Sequence, residues 1–439
     1  MIMENLTIKG KYTSATIYAD TYEEECISQI YDIINNPAFN KQTVCLMPDM
    51  HVGASGPCGL VSTIGDYVCP QHIGVDIGCS VTMLKLSAPI KNEDIPLFEK
   101  RVKDRIPMGM TIHEKNQVND KEFYHFLTNR FRKAKSTWPE ALGGLPDVVD
   151  EKWVASMIKR IGIDPGVFWK SLGTIGGGNH FIEYGVLQDK TYGAITMHFG
   201  SRNFGKRVCE YWMKFTSQPM PKNEAKLFTD ELKKEYKKTH KDMKGFQDYL
   251  KKELSNARKD FIQGYLYGEN LKGYLCDMVL AQAYAEFNHI TVEHILSDIL
   301  KKFNININDT IFCTHNYIDM IDHRIRKSAI SAKKGEKVLV PLNMRDGVLI
   351  CEGLGNEEWL SSCSHGAGRK MSRTKAKETF SMEEFQSTMQ GIYSTSVVED
   401  TLDESPMAYK DSDEIIERIQ ETVKIVDRVY PQISWKATK

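Results

Sequence analysis

Short runs of apolar or β-branched residues alternate with glycine, proline and aspartate through the first ninety residues. These runs lie at Ala15–Tyr18, Thr43–Met47, Gly59–Ile64 and Val81–Leu86. A short apolar run between turn-forming residues is typical of a buried β-strand. The pattern therefore predicts a sheet whose strands are joined by tight loops.

The spacing of apolar residues becomes helical from about Glu93 to Arg160, with breaks at Pro107 and around Leu142–Pro146. Lysine and glutamate then alternate at helical spacing over about 223–258. Mixed charge of this kind is typical of a solvent-exposed helix, and a basic flank that faces a substrate is the alternative interpretation.

A second helix is predicted within Tyr265–Leu300, where Leu280, Tyr284 and Phe287 recur at positions i, i+4 and i+7. This spacing predicts an amphipathic helix with a buried face. The last third of the chain alternates short apolar runs with glycine loops, and a final helix is predicted near Asp413–Val426.

These elements predict a mixed α/β (α+β) fold. We expect one large domain over residues 1–439, with a charged helical excursion at about 212–300. The site loops described below come from both halves of the chain, so independent domains would divide the site.

The composition is that of an ordinary globular protein, with 41% hydrophobic and 26% charged residues. The sequence contains no stretch of about 18 apolar residues, so no membrane-spanning helix is predicted. The N-terminus lacks a signal-peptide pattern, and the ten cysteines include no CxxC pair, which is typical of a reducing compartment. We therefore expect a cytoplasmic protein that is not bound to a membrane.

The charges nearly cancel, since 57 lysines and arginines face 58 acidic residues. A protein that coats nucleic acid is usually visibly basic. The balance argues against that class of protein, but it permits a local basic groove that contacts a few phosphates.

Two loops in the first eighty residues carry candidate ligands. Asp49 and His51 are two residues apart and would point to the same side of an extended segment, although a turn with a hydrogen-bonded histidine is the favoured explanation for this loop taken alone. Asp76 and Cys79 lie between glycines and can converge on one divalent ion, the carboxylate favouring Mn²⁺ and the thiolate favouring Zn²⁺. A structural cysteine beside a turn aspartate is the alternative.

Three consecutive glycines at 176–178 precede Asn179, His180 and Glu183. Bare backbone amides allow the close approach of a phosphate or of another loop. A dinucleotide-binding fingerprint is a poor fit, because a strand rather than a helix is predicted to follow.

Two further loops carry histidines. His198 lies four residues before Arg202, and His315 follows the apolar strand Thr310–Cys313. A single histidine is more often structural than a ligand. Together with an arginine, however, it can place a metal ligand or proton carrier beside a phosphate clamp.

The loop at 364–373 contains His365, followed by three small residues that expose its imidazole. Arg369 and Arg373 are four residues apart and are predicted to share one face at the start of a helix, where they would form a phosphate site. The imidazole of His365 could serve there as base, ligand or nucleophile.

Together these loops resemble the RtcB family of RNA ligases. The matching segments, in family order, are MPDMHVG (47–53), GVDIGCSV (74–81), RIPMG (105–109), GTIGGGNHFIE (173–183), HFGSRNFG (198–205), AYAEFN (283–288), THNY (314–317), SHGAGRKMSR (364–373) and AYKDSDE (408–414). They extend over nearly the whole chain, and their combination is specific although no single segment is.

The resemblance implies a GTP- and Mn²⁺-dependent ligase that joins an RNA 3′-phosphate or 2′,3′-cyclic phosphate end to a 5′-hydroxyl end. It implies that His365 is the nucleophile that takes GMP and releases pyrophosphate, with Arg202 and Arg369 binding phosphates. Two manganese ions would be held by Asp76, Cys79, His180, His198 and His315. The nucleotide would be bound by Asn179, Glu183, Asn343, Tyr409 and Lys436, with Glu183 at the guanine edge. An archease-like activator is a candidate partner.

The chain departs from the family pattern at three places, which indicates a divergent branch. Ile73 and Gly78 stand in the second motif where proline-glycine-glycine and asparagine are common. Asn343 stands in the loop 341–347 where a serine is usual, and Arg326-Lys327-Ser328 replaces arginine-lysine-glycine. The altered loop leaves open a metal-dependent phosphoesterase or nucleotidyltransferase that acts on RNA ends without ligation. A non-catalytic RNA-binding relic is the third interpretation, and the complete set of metal ligands argues against it.

Overall fold

The computed structural model describes residues 5–216, 222–240, 242–243, 245–260 and 264–436; residues 241 and 244 of the predicted charged segment lie outside these ranges. The described helices are α1 (Glu24–Ile34), α2 (Ile95–Arg105), α3 (Asp120–Thr137), α4 (Pro139–Leu142), α5 (Glu151–Ile161), α6 (Pro165–Lys170), α7 (Asn203–Met213), α8 (Lys222–Thr239), α9 (Phe246–Asp260), α10 (Gly268–Leu300), α11 (Arg373–Thr379), α12 (Met382–Thr388) and α13 (Ser412–Ile419). None of them is long and apolar enough to cross a bilayer.

The described strands form two large sheets and one short ladder. The strands are β1 (Leu6–Lys9), β2 (Ser14–Ile17), β3 (Val44–His51), β4 (Cys58–Thr63), β5 (Ser80–Leu86), β6 (Phe181–Leu187), β7 (Gly193–Phe199), β8 (Ile307–Thr314), β9 (Asn316–Asp319), β10 (Arg324–Lys327), β11 (Ala329–Ser331), β12 (Lys337–Pro341), β13 (Val348–Gly353), β14 (Ser362–Ser364) and β15 (Val423–Lys436). The predicted mixed α/β class and the early strands are confirmed.

The larger sheet has seven strands in the spatial order β12-β13-β15-β6-β7-β5-β8, and all its neighbouring strands are antiparallel. The smaller sheet has the order β1-β2-β3-β4-β10-β9, with β2 and β3 parallel. β11 and β14 form the short ladder. Strands from distant parts of the chain are therefore neighbours in both sheets.

The end of the chain differs from the prediction. The final helix α13 ends at Ile419, and residues 423–436, predicted in part as helix, form strand β15 between β13 and β6. Val429, Ile433 and Trp435 are fully buried in this strand, so their packing in the sheet outweighs any local helical preference. Strand β15 brings the C-terminal segment to the middle of the larger sheet.

The long helix α10 also differs from the prediction. It begins at Gly268 and is buried on most of its sides rather than on one face, with contacts to α2, α3, α7 and β5. The dense charged surface lies on α8 and α9, where the lysines whose burial is described lie outside the core. The predicted excursion over about 212–300 is therefore too long at its C-terminal side, because α10 belongs to the core.

Arg326 ties the smaller sheet to the loop that carries His365. It lies in β10 with a side chain that is 0% exposed, and it donates hydrogen bonds to Asp319 (3.0 Å), Asp322 (2.7 Å) and the hydroxyl of Ser362 (2.9 Å). Ser362 begins β14, which leads directly to His365. A buried cation with two carboxylates is stable only while its partners are present.

We predict that Arg326→Ala lowers the free energy of unfolding by about 3–5 kcal/mol, because it leaves the carboxylates of Asp319 and Asp322 with the partly exposed Lys333 in place of their fully buried cation. Urea unfolding followed by tryptophan fluorescence measures the change. The control is Arg101→Ala on the exposed side of α2, for which we expect a change within about 0.5 kcal/mol. Equal effects of the two substitutions would contradict the structural role given to Arg326.

Candidate active site

The candidate metal ligands meet at one end of strand β5. Ser80, the first residue of β5, lies opposite Phe199 of β7 on one side and Thr314 of β8 on the other. Cys79 precedes Ser80 and His315 follows Thr314, so both reach the same end of the sheet. The backbone N–H of His315 donates to the carbonyl of Cys79 (2.9 Å), which fixes the two loops together.

Five side chains form two overlapping groups at this place. The Cys79 sulfur lies 3.3 Å from Nε2 of His198 and 3.5 Å from Nε2 of His180. Nε2 of His198 is 3.1 Å from Nε2 of His315, and Nε2 of His180 is 3.2 Å from a carboxylate oxygen of Asp76. One group is Cys79, His198 and His315, the other is Asp76, Cys79 and His180, and the ligand atoms in each lie within 4.8 Å of one another.

The protonation of these groups suits metal binding. Burial lowers the pKa of His198 and of His315 well below the usual value, so both imidazoles are neutral and can act as ligands. Burial raises the pKa of the Cys79 thiol, and the negative charge of Asp76 raises it further. A cation bound at this place would therefore have to displace the thiol proton. A set of nitrogen, sulfur and carboxylate donors fits a divalent transition metal.

Cobalt(II) provides a direct test of the cysteine as ligand. We predict a thiolate-to-cobalt charge-transfer band in the near ultraviolet for the unchanged protein, and its loss in Cys79→Ser together with at least about tenfold weaker binding. Cys276→Ser is the control, because Cys276 is partly exposed and lines a different cavity. A band that survives in Cys79→Ser would rule out the cysteine as a ligand.

The glycine loop before His180 packs closely on the metal cluster. A Cβ atom at Gly176 would lie 2.5 Å from Nδ1 of His180 and 2.6 Å from Nη1 of Arg202, so this position requires glycine. Arg202 donates to the hydroxyl of Thr174 (2.9 Å) and to the carbonyl of Gly109 (2.7 Å). The structure thus places Arg202 beneath the loops 107–109 and 173–178, and its contact with a phosphate stays a prediction.

His365 is held by Asp49, a partner that the sequence pattern did not identify. One carboxylate oxygen of Asp49 accepts from the backbone N–H of His365 (3.1 Å) and lies 2.6 Å from its Nδ1. A Cβ atom at Gly368 would lie 2.2 Å from the carbonyl oxygen of Asp49, so the loop can approach β3 only with glycine there. The ring of His365 lies 4.9 Å from that of His315, which places it beside the metal cluster.

A cavity of about 480 Å³ opens over His365. Its walls include every residue predicted to bind the nucleotide, together with Arg369: Asn179, Glu183, Asn343, Arg369, Tyr409 and Lys436. His198 of the metal cluster also lines it. The structure therefore brings the predicted nucleophile, one face of the metal cluster and the predicted nucleotide pocket into one space.

The sequence model of the family described as "tRNA-splicing ligase RtcB" matches residues 29–437. The chain belongs to the RtcB family. It is 28% identical to the RNA-splicing ligase RtcB of Escherichia coli (strain K12), over 96% of this chain and 95% of that protein. It is 26% identical to the tRNA-splicing ligase RtcB of Nanoarchaeum equitans (strain Kin4-M), over 96% of this chain and 93% of that protein.

Glu183 has an unusual environment in this RtcB-family protein. Its side chain is buried in β6, and its Oε1 atom has no hydrogen-bond partner among the described residues. Burial raises its pKa to about 8, against the opposing effects of Ser434 and Lys436. A buried carboxyl oxygen without a partner at a cavity wall is available to a ligand donor.

Glu404 is the residue at the centre of the pocket's charges, and the sequence analysis missed it. One of its oxygens accepts from Arg369 (3.3 Å) and from Arg373, and the other accepts from the hydroxyl of Tyr409 (2.6 Å) and from Nζ of Lys436 (2.8 Å). Burial alone would raise its pKa, but Lys436, Arg373 and Arg369 lower it to about 2. One carboxylate therefore neutralises several cations of the RtcB pocket.

The arrangement corrects the prediction for the two arginines. Helix α11 begins at Arg373, with Ser372 as its capping residue, so Arg369 lies in the loop before the helix rather than on a shared helical face. Both guanidinium groups pair with Glu404, which gives each arginine a structural role in the pocket. No spacing rule could connect Glu404 with residues more than thirty positions away, although it lies four residues before the AYKDSDE segment.

Asn343 organises the altered loop of this family member. Its Oδ1 accepts from the backbone N–H groups of Arg345 (3.0 Å) and Asp346 (2.9 Å), and its Nδ2 donates to the carboxylate of Asp346 (2.7 Å). Asn343 lines the cavity, but its polar atoms are used mainly within the loop. Its nucleotide contact stays a prediction.

We predict that Glu404→Gln lowers the free energy of unfolding by about 3 kcal/mol at neutral pH, since each unit by which the pKa falls below 4.5 is worth about 1.4 kcal/mol. The contribution is present above about pH 4.5 and is lost as the pH falls towards 2. The difference from the unchanged protein, measured by urea unfolding, should shrink by more than half between about pH 6 and about pH 3.

The matched control is Glu378→Gln, because Glu378 lies exposed on α11. We expect almost no change in unfolding free energy for this control at either pH. A difference for Glu404→Gln that does not depend on pH would contradict the charge pairing described above.

Proposed function

We propose that this RtcB-family protein is a GTP- and Mn²⁺-dependent RNA ligase that joins a 3′-phosphate or 2′,3′-cyclic phosphate end to a 5′-hydroxyl end. The observation that carries the proposal is the position of His365. Its ring lies between Asp49, 2.6 Å from Nδ1, and the metal cluster, 4.9 Å away at His315. Family membership and the ligase names of the relatives support the RNA ligase class.

Asp49 prepares His365 for nucleophilic attack. Its carboxylate can only accept when ionised, so it keeps the proton on Nδ1 and leaves the lone pair of Nε2 free. Nε2 then attacks the α-phosphorus of GTP; a P–N bond forms, the bond to the bridging oxygen of the β-phosphate breaks, and pyrophosphate leaves. Asp49 also stabilises the positive charge that develops on the ring.

Two Mn²⁺ ions fit the donor atoms of Asp76, Cys79, His180, His198 and His315. Cys79 belongs to both groups of ligands, so its sulfur is positioned to be shared. When bound, the ions would supply positive charge beside the triphosphate. The part played by the chain is to hold the five ligands at one sheet end and to keep both buried imidazoles neutral.

The nucleotide would occupy the cavity above His365. Glu183 of β6 offers a buried carboxyl group to the N–H donors of guanine. Lys436 lies on the neighbouring strand β15 and donates a hydrogen bond to Glu404. Asn179 and Tyr409 line the cavity, as does Asn343 of the altered loop. We assign guanine recognition to Glu183 because its Oε1 atom is buried at the cavity wall without a hydrogen-bond partner among the described residues.

The later steps use the same cavity. The RNA 3′-phosphate would attack the phosphorus of the His365-bound GMP, and the P–N bond would break. The 5′-hydroxyl would then attack the activated 3′-phosphate and expel GMP. Arg369 lies in the cavity wall and Arg202 lies beneath the glycine loop, so Arg369 is the better placed of the two for a phosphate.

The ten free cysteines support a reducing, cytoplasmic location.

We predict that incubation with Mn²⁺ and α-labelled GTP places an acid-labile, base-stable label on the chain. His365→Ala should abolish the label, and Asp49→Asn should slow its formation at least about tenfold, because the ring loses the group that fixes its tautomer. The control His125→Ala, which removes an exposed histidine of α3, should retain the label. Phosphate release from RNA ends without any label would instead favour a phosphoesterase.

A further inference from the structure

A second cysteine–histidine pair lines the cavity and has no part in the proposed ligase reaction. Cys58 of β4 lies directly opposite His51 of β3 in the smaller sheet. Both side chains are partly exposed and line the cavity that contains His365. Neither residue belongs to the two groups of metal ligands.

The backbone fixes the tautomer of His51. Its Nδ1 lies 2.8 Å from the carbonyl oxygen of Asp49, and a carbonyl can only accept, so Nδ1 carries the proton. Nε2 is then the ring nitrogen that can take a proton from a neighbouring thiol. A cysteine paired with an oriented imidazole is the arrangement by which proteins activate a sulfur nucleophile.

Two residues of the altered segment 326–328 reinforce the pair. Lys327 is buried, and its Nζ donates to the carbonyl of Gly56 (2.9 Å), two residues from Cys58. Ser328 lies in the same cavity wall as Cys58 and His51. A buried ammonium beside a thiol favours its thiolate form.

The charge of the pair agrees with this geometry. Burial would raise the pKa of the Cys58 thiol, but the charge of His51 and its hydrogen bond, followed by Lys327, lower it to about 6. The other nine cysteines all have a raised pKa; for partly exposed Cys276, burial raises it to about 11. Cys58 therefore differs from every other cysteine of the chain.

We propose that Cys58 is a reactive thiolate in the wall of the active-site cavity that hydrogen peroxide can oxidise, and that attachment of a bulkier electrophile to its sulfur obstructs the cavity above His365. With peroxide, the sulfur forms an S–O bond while the O–O bond breaks. Hydroxide leaves and takes a proton to become water, the sulfur is oxidised by two electrons, and the product is a sulfenic acid. A thiol reductant restores the cysteine.

The first test is the rate of modification by N-ethylmaleimide, mapped by peptide mass spectrometry in the presence of Mn²⁺. We expect Cys58 to react at least about tenfold faster than Cys276 at pH 7, and His51→Gln to remove most of this advantage. Prior exposure to peroxide should block the reaction of Cys58, and dithiothreitol should restore it. Equal rates for Cys58 and Cys276 would overturn the proposal.

The second test concerns closure of the cavity and does not depend on ligase activity. Diethyl pyrocarbonate modifies accessible imidazoles, and the same peptide maps give its rate at His365. After maleimide treatment this rate should fall at least about threefold in the unchanged protein, whereas treated Cys58→Ser should keep its own untreated rate. An unchanged rate at His365 in fully modified protein would overturn the closure.

The consequence for catalysis rests on the proposed function. Formation of the GMP label is expressed for each protein relative to its own untreated sample. Maleimide treatment should abolish it in the unchanged chain but not in Cys58→Ser. Absence of label in all untreated samples would refute the ligase proposal, while the two modification rates would still decide the role of Cys58.

Discussion

The pairing of strand β5 with β7 on one side and β8 on the other is the constraint on which the site depends. Ser80 lies opposite both Phe199 and Thr314, and this register brings Cys79, His198 and His315 to one sheet end. Side chains alternate between the faces of a strand, so a shift of one residue in either pairing would turn His198 to the opposite face or separate the loops. The cluster of candidate metal ligands is thus a consequence of sheet register, which the apolar residues of the core stabilise.

The charge distribution of the cavity follows from its burial. Cations gathered at a buried cavity wall repel one another, and Glu404 offsets this by accepting from Arg369, Arg373, Tyr409 and Lys436. The same principle explains Arg326 with its two aspartates. A chain with a formal net charge of −1 can therefore present a local basic site, because a buried acidic residue such as Glu404 pairs with the basic residues around the cavity.

Local sequence predicted the parts of the molecule that depend on local pattern. The early strands, the helical region after residue 93 and the loops that carry the candidate metal ligands lie where they were expected. The C-terminal strand was predicted in part as helix, because its place between β13 and β6 depends on partners 70 or more residues away in the sequence. Asp49 and Glu404 were missed as partners for the same reason: the residues they bind are distant in sequence, and no periodicity connects them.

Strand β15 comes last of the fifteen described strands, yet it occupies the middle of the larger sheet, between β13 and β6. Lys436 reaches the pocket on this strand, next to the strand that holds Glu183. On the ribosome, β6 must therefore wait for its neighbour until about 240 further residues have been made, at a rate of about 5–20 residues per second. The nascent chain spends that time with an unpaired edge at β6, where assistance from a chaperone would matter most.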